Sequence, residues 1–446
     1  MAQIPKLNVS GFRGIWGDTL TLSIAENYAK AFSLYIKNHG GGTVLVARDG
    51  RESGSEIVKK VCSTLVDYGI DIIYGDILPT PTVLISVRDM SYAGAIIITA
   101  SHNPIEYNGL KFVRKGGSFA NGDDINEINN ALEIEIKESV EKGKEIQTED
   151  FMNLHIKKVL QNVDVNLIMQ KKFKVALDPV NASGCVITPK MLEQLNCDVK
   201  IINGEQNGKF GRVPEPTPKN LTDLSQTTKD FNADVGFAQD PDADRLVIVD
   251  EEGVVLDQQY TLVLGAMNVL QKENGDAVVN LSTSHMTEMI NNKFGGKTFY
   301  SKVGEPNVVA EMIARKAVVG GEGSSSGIIY PRVQYARDSL VGIALVLELM
   351  AKENKKLSEI VKSLPPLFMG ATKIPVSGDI NLLFEKFKNT WPDASINNLD
   401  GLRFDNNDGS WVQVRASNTE SIVRVMYEAN SSEQLKEITK TLESLI

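Results

Sequence analysis

Three times along this chain an apolar strand runs without transition into a polar loop. The segment 93–99 continues as "ASHNPIEYNGLK", 234–238 as "QDPDADR", and 318–319 as "GGEGSSSG". Strands that are apolar throughout belong to parallel or mixed sheets covered by helices on both faces. In open α/β sheets, ligands sit just beyond the carboxyl ends of strands. Three such ends predict three α/β units whose loops meet in one cleft.

The intervening sequence supports that reading. Strands are expected at 43–47, 71–74 and 93–99, with a helix over 55–68 that stops at Gly69. A charged, helix-like stretch, 123–163, closes the first unit. The second unit opens with a strand at 174–178 ending in "DPVNASG", then a helix through 191–195 and strands at 199–202, 234–238 and 246–249. Its segment 211–220 carries Pro214, Pro216 and Pro218, which argue against helix or central strand. The third unit has strands at 277–281 and 318–319, a helix near 307–316 and a long apolar helix at 339–351. Pro365 and Pro366 mark a linker. The tail differs: a turn at 406–409 joins strands 402–404 and 411–414, followed by a strand at 421–427 and a helix at 433–445. The expected domains are 1–150, 151–252, 253–366 and a smaller α+β domain, 367–446.

With 57 acidic against 47 basic side chains the net charge is −10, which disfavours a nucleic-acid or anionic-membrane footprint. No apolar run approaches a membrane span. Cys62, Cys185 and Cys197 lack metal-site spacing and read as buried apolar residues in a reducing compartment, so a cytoplasmic location is expected.

In "DPDADR", Asp240, Asp242 and Asp244 alternate, so an extended loop would aim all three the same way. Such carboxylates repel one another unless a cation lies among them, and hard oxygen ligands suit Mg²⁺ or Ca²⁺. A calcium EF-hand is excluded because Arg245 occupies its glycine position. An aspartate-nucleophile phosphatase and a plain acidic turn remain rivals. Arg245 favours a site that holds metal and phosphate together. Ser101 lacks a hydrolase elbow around it, since Ala100 and Asn103 do not fit. It suits a phosphoryl carrier instead, or it simply caps a turn. Lys111 is a candidate proton donor or acceptor, provided burial and nearby cations lower its pKa. His102 reads first as a loop-stabilising hydrogen bonder and second as a catalytic group. "RASNTE" offers Arg415, Ser417, Asn418 and Thr419 for a phosphate dianion, or is an ordinary hairpin loop. "GGEGSSSG" sets Gly321, Glu322 and Ser324 on a flexible loop suited to sugar hydroxyls.

Together these motifs resemble the α-D-phosphohexomutase family, which includes phosphoglucomutase, phosphomannomutase and phosphoglucosamine mutase. The resemblance implies a heart-shaped arrangement of three related mixed-sheet α/β domains and a smaller fourth. It implies phosphorylation at Ser101, acid/base work by Lys111, and one Mg²⁺ held by Asp240, Asp242, Asp244 and the phosphoserine. "GFRG" is similar to a segment that brings an arginine, here Arg13, into the active site. Lys302 in "SKVGE" is a further sugar-phosphate contact. The implied reaction interconverts hexose 6- and 1-phosphates through a 1,6-bisphosphate, which also serves as primer. Ser326 stands where some members have histidine, and Ala416 and Asn418 where many have proline and glycine. The loops look closest to the branch acting on glucosamine phosphate, with mannose and glucose phosphates as alternatives. A sugar phosphatase and a non-catalytic sugar-phosphate binder are the rivals outside the family. The expected protomer acts as a monomer or homodimer.

Overall fold

The computed structural model describes residues 6–147, 149–375, 380–416 and 422–445. Its sheets have seven, four, four and five strands in chain order. The first three share one wiring. A central strand (Val44–Arg48, Lys174–Asp178 or Ala277–Asn280) has a parallel neighbour on one side (Ile72–Ile77, Asp198–Ile201 or Thr298–Ser301). On its other side lies a second parallel strand (Gly94–Ile98, Val235–Gln239 or Val319–Glu322). That strand pairs antiparallel with the next in sequence (Tyr107–Arg114, Leu246–Asp250 or Gly327–Ile329). The motif loops are thus the turns of three equivalent hairpins. The fourth sheet is wholly antiparallel and carries the helix Ser432–Ser444. Among the described residues, no helix is long and apolar enough to cross a membrane.

The hairpins explain the first sequence misreading. "YNGLK" is strand, because Tyr107–Arg114 pairs with both Gly94–Ile98 and Phe12–Ile15. Gly109 sits where a β-carbon would come within 2.2 Å of the Phe12 carbonyl oxygen, so only glycine lets the strands meet there. The stretch 123–163 is not one helix. Helix Gly122–Ala131 ends, a short strand Glu145–Ile146 follows, and a new helix begins at Phe151. The Asn121 capping box starts the first of these, whereas the charged residues after it have too few apolar partners to stay helical. The proline-rich segment contains one turn of 3₁₀ helix, Pro218–Asn220, with proline at the start, where its missing N–H costs nothing.

One apolar core runs through the second and third units and is built around the buried helix Ser339–Glu353. Separate clusters cover the two faces of the first sheet. A buried histidine joins the units: His155 shares a 2.8 Å hydrogen bond with Thr82 and lies 2.7 Å from Asp338, whose side chain also caps the helix at Leu340 N. Asp338 follows Arg337 directly, so this tie fixes the chain beside the hairpin loops.

Candidate active site

The structure brings the serine loop and the acidic loop into contact. Ser101 Oγ donates to Asp240 Oδ2 at 2.9 Å, and Lys111 Nζ donates to Asp242 Oδ2 at 2.6 Å and lies 3.7 Å from Asp244 Oδ2. All of these residues are buried. Each loop opens with a tight turn: Asn103 N donates to Ala100 O, Ala243 N to Asp240 O, and Ser326 N to Gly323 O. Each also holds one non-glycine residue in the left-handed region, namely Ser101 (φ 50°), Ala243 (φ 54°) and Ser326 (φ 54°). Such a residue costs about 1–3 kcal/mol and persists only when its surroundings fix it.

Here the surroundings do. Ser101 N donates to Thr99 Oγ1 at 2.9 Å, and Thr99 Oγ1 donates to Asp49 Oδ2 at 2.7 Å. Arg51, fully buried, donates to the carbonyl oxygens of Ser101, Asn103, Pro104 and Tyr107 at 2.7–3.0 Å. Asp49 balances its charge at 3.1 Å, and the Phe210 ring of the second unit lies 4.9 Å from the guanidinium. Sequence reasoning missed Asp49 and Arg51; the only signal was "RDGR" directly after a strand.

The carboxylates do not converge by extended alternation. They converge because the chain turns at Ala243 and Arg245 N donates back to Asp240 Oδ1 at 3.1 Å. One oxygen from each of Asp240, Asp242 and Asp244 lies within 4.8 Å of the others. Asp242 Oδ1 and Asp244 Oδ1 are buried and accept no hydrogen bond. Buried oxygens are rarely left so, and these hard donors fit a divalent cation. Burial pushes the Asp240 carboxyl well above the usual range, and Asp242 and Asp244 add to the shift. Burial works upward on Asp242 as well, but the charge and hydrogen bond of Lys111 prevail and hold it below the usual range. Burial would lower Lys111, yet Asp242 and Asp244 outweigh it and raise its pKa. The condition expected of Lys111, a lowered pKa, is therefore not met in this arrangement.

Around this centre, Arg13 Nη1 donates to Asn103 Oδ1 at 2.8 Å, and Arg245 approaches Asp240 at 3.9 Å and Glu215 at 3.5 Å. His102 Nδ1 lies 3.3 Å from Ser101 Oγ. Burial, then the charges of Arg245, Arg13 and Arg337, hold its imidazole far below the usual pKa and therefore neutral. Thr80, also missed from sequence, donates to Asp242 Oδ2 at 2.7 Å from a helix N-terminus.

Glu322 is buried, and its Oε1 accepts from Gly304 N at 2.7 Å and Asn280 Nδ2 at 2.8 Å. Gly321 lies beside it in the strand, Ser324 is half-buried, and Lys302 is exposed. Arg415 Nη1 lies 3.5 Å from Asp400 Oδ2, which also accepts from Val303 N at 3.0 Å. Ser417, Asn418 and Thr419 lie outside the described residues.

Two hydroxyl- and carboxylate-bearing hairpins, a buried lysine and a metal-suited triad define a phosphoryl-transfer type of site on a repeated α/β scaffold. Comparisons with known proteins agree. Successive parts of the chain match the phosphoglucomutase/phosphomannomutase alpha/beta/alpha domains I (residues 5–139), II (153–253) and III (257–368) and the C-terminal domain (380–444). A phosphoglucomutase/phosphomannomutase of Thermococcus kodakarensis is 33% identical over 96% of this chain and 95% of its own. A phosphoglucosamine/phosphogalactosamine mutase of Sulfurisphaera tokodaii is 31% identical over 98% of both. The crystal structure of a phosphoglucomutase/phosphomannomutase family protein from Burkholderia thailandensis superposes with a TM-score of 0.86 at 26% identity, covering 98% of this chain and 95% of that one. This chain belongs to the phosphoglucomutase/phosphomannomutase family, and it is an enzyme, a phosphohexomutase.

Proposed function

We propose that the enzyme interconverts glucosamine 6-phosphate and glucosamine 1-phosphate through a phosphoserine at Ser101 and a hexose 1,6-bisphosphate. The observation that carries this reading is the Ser101–Asp240 hydrogen bond of 2.9 Å beside Lys111 and the paired carboxylates. In the first half-reaction a substrate hydroxyl oxygen bonds to the phosphorus on Ser101, and the bond from phosphorus to Ser101 Oγ breaks. Lys111, charged as it stands, gives a proton to the departing Oγ and takes up the proton that the attacking hydroxyl releases, so it ends the half-reaction charged as it began. In the second half-reaction the roles reverse: Oγ bonds to the other phosphoryl group of the bisphosphate as that group's bond to the sugar oxygen breaks, Lys111 takes the Oγ proton, and its own proton goes to the departing sugar oxygen. Asp240, Asp242, Asp244 and an oxygen on Ser101 would hold one Mg²⁺, which when bound supplies positive charge against the phosphoryl oxygens. Arg13, Arg245 and neutral His102 orient that group. Arg415, with Ser417, Asn418 and Thr419, holds the phosphate that is not reacting. Gly321, Glu322, Ser324 and Lys302 face the sugar. A hexose 1,6-bisphosphate serves as primer by phosphorylating Ser101.

Division of the chain at 150, 252 and 366 accompanies this reading, since it leaves each sheet whole. The preference for glucosamine is supported by the sugar-loop sequence and by relatives named phosphoglucosamine mutase at 31–32% identity. Coupled assays on glucosamine, mannose and glucose 6-phosphates with trace bisphosphate test it. The expected result is the highest kcat/KM for glucosamine 6-phosphate; equal or better turnover of another sugar overturns the preference. Radiolabelled phosphate recovered on Asp240 instead of Ser101 would overturn the mechanism.

A further inference from the structure

Arg337 was not singled out by any sequence motif, yet it reaches three separate parts of the site. Its Nη2 donates to Asp244 Oδ2 at 2.8 Å, its Nε donates to Glu305 Oε2 at 2.6 Å, and its Nη1 lies 3.4 Å from Glu322 Oε2. The first partner belongs to the carboxylate triad, the second follows "SKVG", and the third opens the glycine-rich loop. The contact with Asp244 uses Oδ2 and leaves the buried Oδ1 without a hydrogen bond. The arginine stem fixes the far end of the same loop. A β-carbon at Gly327 would meet Arg337 Cδ at 2.1 Å, so the stem lies directly over that glycine. Backbone pairing of Arg337 with Ile329 and the Asp338–His155 tie leave the residue little freedom.

We propose that Arg337 is a positioning residue that holds the metal carboxylate Asp244 and the sugar loop in one register, and thereby sets both metal affinity and sugar discrimination. The planar guanidinium is what makes this possible. Its fork presents donors at fixed angles to carboxylates on different elements, which the point charge of a lysine cannot do. The sugar half of the proposal rests on the mutase reading; the metal half does not.

A simple counter-charge makes the opposite prediction for charge-retaining variants, so those variants decide the matter. Arg337→Lys keeps the charge and loses the fork. Gly327→Ala keeps Arg337 and pushes its stem aside. Mg²⁺ binding to each variant is measured by calorimetry. Binding of glucosamine 6-phosphate and mannose 6-phosphate is measured in a Ser101→Ala background, where no turnover intervenes. Both variants are expected to weaken Mg²⁺ binding by about 10-fold or more, as for other outer partners of metal ligands. Both are also expected to bring the two sugar phosphates to within about 3-fold of each other, because an equal loss of contacts cannot discriminate. Unchanged Mg²⁺ affinity in both variants overturns the metal half, and an unchanged ratio between the sugars overturns the sugar half. If no hexose phosphate is turned over by the unmodified enzyme but Mg²⁺ binding is weakened in both variants, the mutase reading fails and the Asp244 role stands. The methyl at 327 is the smaller disturbance and keeps the measurement available should lysine destabilise the fold.

Discussion

The reaction centre and the C-terminal unit are joined to the molecule in opposite ways. Ser101 and the carboxylates of the acidic loop are buried, their loops sit on hairpins of the first and second sheets, and they border one apolar core that spans two units. Among the described residues, the C-terminal unit has an apolar core made only of its own side chains. It meets the third unit through polar contacts: Ser282 with Gln413, Ser284 and His285 with Glu428, and Arg403 with the Leu281 carbonyl. Apolar contacts hold surfaces together over large areas, whereas such hydrogen bonds are each worth about 1 kcal/mol net and exchange readily with water. The contrast teaches a division of labour. On the proposed mechanism, groups that move a proton or a phosphoryl must stay in place, while Arg415, proposed as the phosphate clamp, must open to let the sugar turn.

Changes in the fixed region should be severe and changes in the docked region mild. Ser101→Ala should reduce turnover by about 10³-fold or more while sugar-phosphate binding survives, since on the proposed mechanism the Ser101 hydroxyl carries the phosphoryl group. Near-normal turnover would remove the serine from the chemistry. Arg51→Met should cost about 3–5 kcal/mol in denaturant unfolding, because Asp49 and the loop carbonyls lose a buried partner. A loss below about 1 kcal/mol would show that the serine loop supports itself. Saturating Mg²⁺ at about 100 times its Kd should stabilise the wild type by about 2.7 kcal/mol, with no shift when Asp242 and Asp244 are both changed to Asn. Equal stabilisation of the two proteins would place the ion elsewhere. Arg415→Ala should raise KM about 10-fold and change kcat less, and an unaltered KM would remove the clamp. Gln413→Ala should cost at most about 1 kcal/mol, with faster hydrogen exchange in 402–414 and none of it in 94–114. Exchange rising equally in both segments would erase the distinction between the regions.

Much of the site was legible because its chemistry sits in short contiguous loops. Asp240, Asp242 and Asp244 announce themselves as a run, and Ser101 stands in a polar break after an apolar strand. The mixed sheets were legible as units, but the antiparallel return of Tyr107–Arg114 was not. Its pattern, apolar on both faces and broken by Gly109, lacks the alternation that marks a half-exposed strand. Arg51, Thr80 and Arg337 were illegible for a different reason. Each acts on residues distant in sequence, Thr80 on Asp242 and Arg337 on Asp244, Glu305 and Glu322.

Local sequence alone determined which atoms are available for chemistry: a hydroxyl at 101, an amine at 111 and carboxylates at 240, 242 and 244. It also determined the repeated strand-to-loop rhythm, because burial and turn propensity act over a few residues. Only the tertiary structure decided that those atoms meet, that Lys111 stays charged between two aspartates, and that one arginine spans the acidic and sugar loops. Charge interactions depend on distance in space and on exclusion of water, and neither can be counted along a chain.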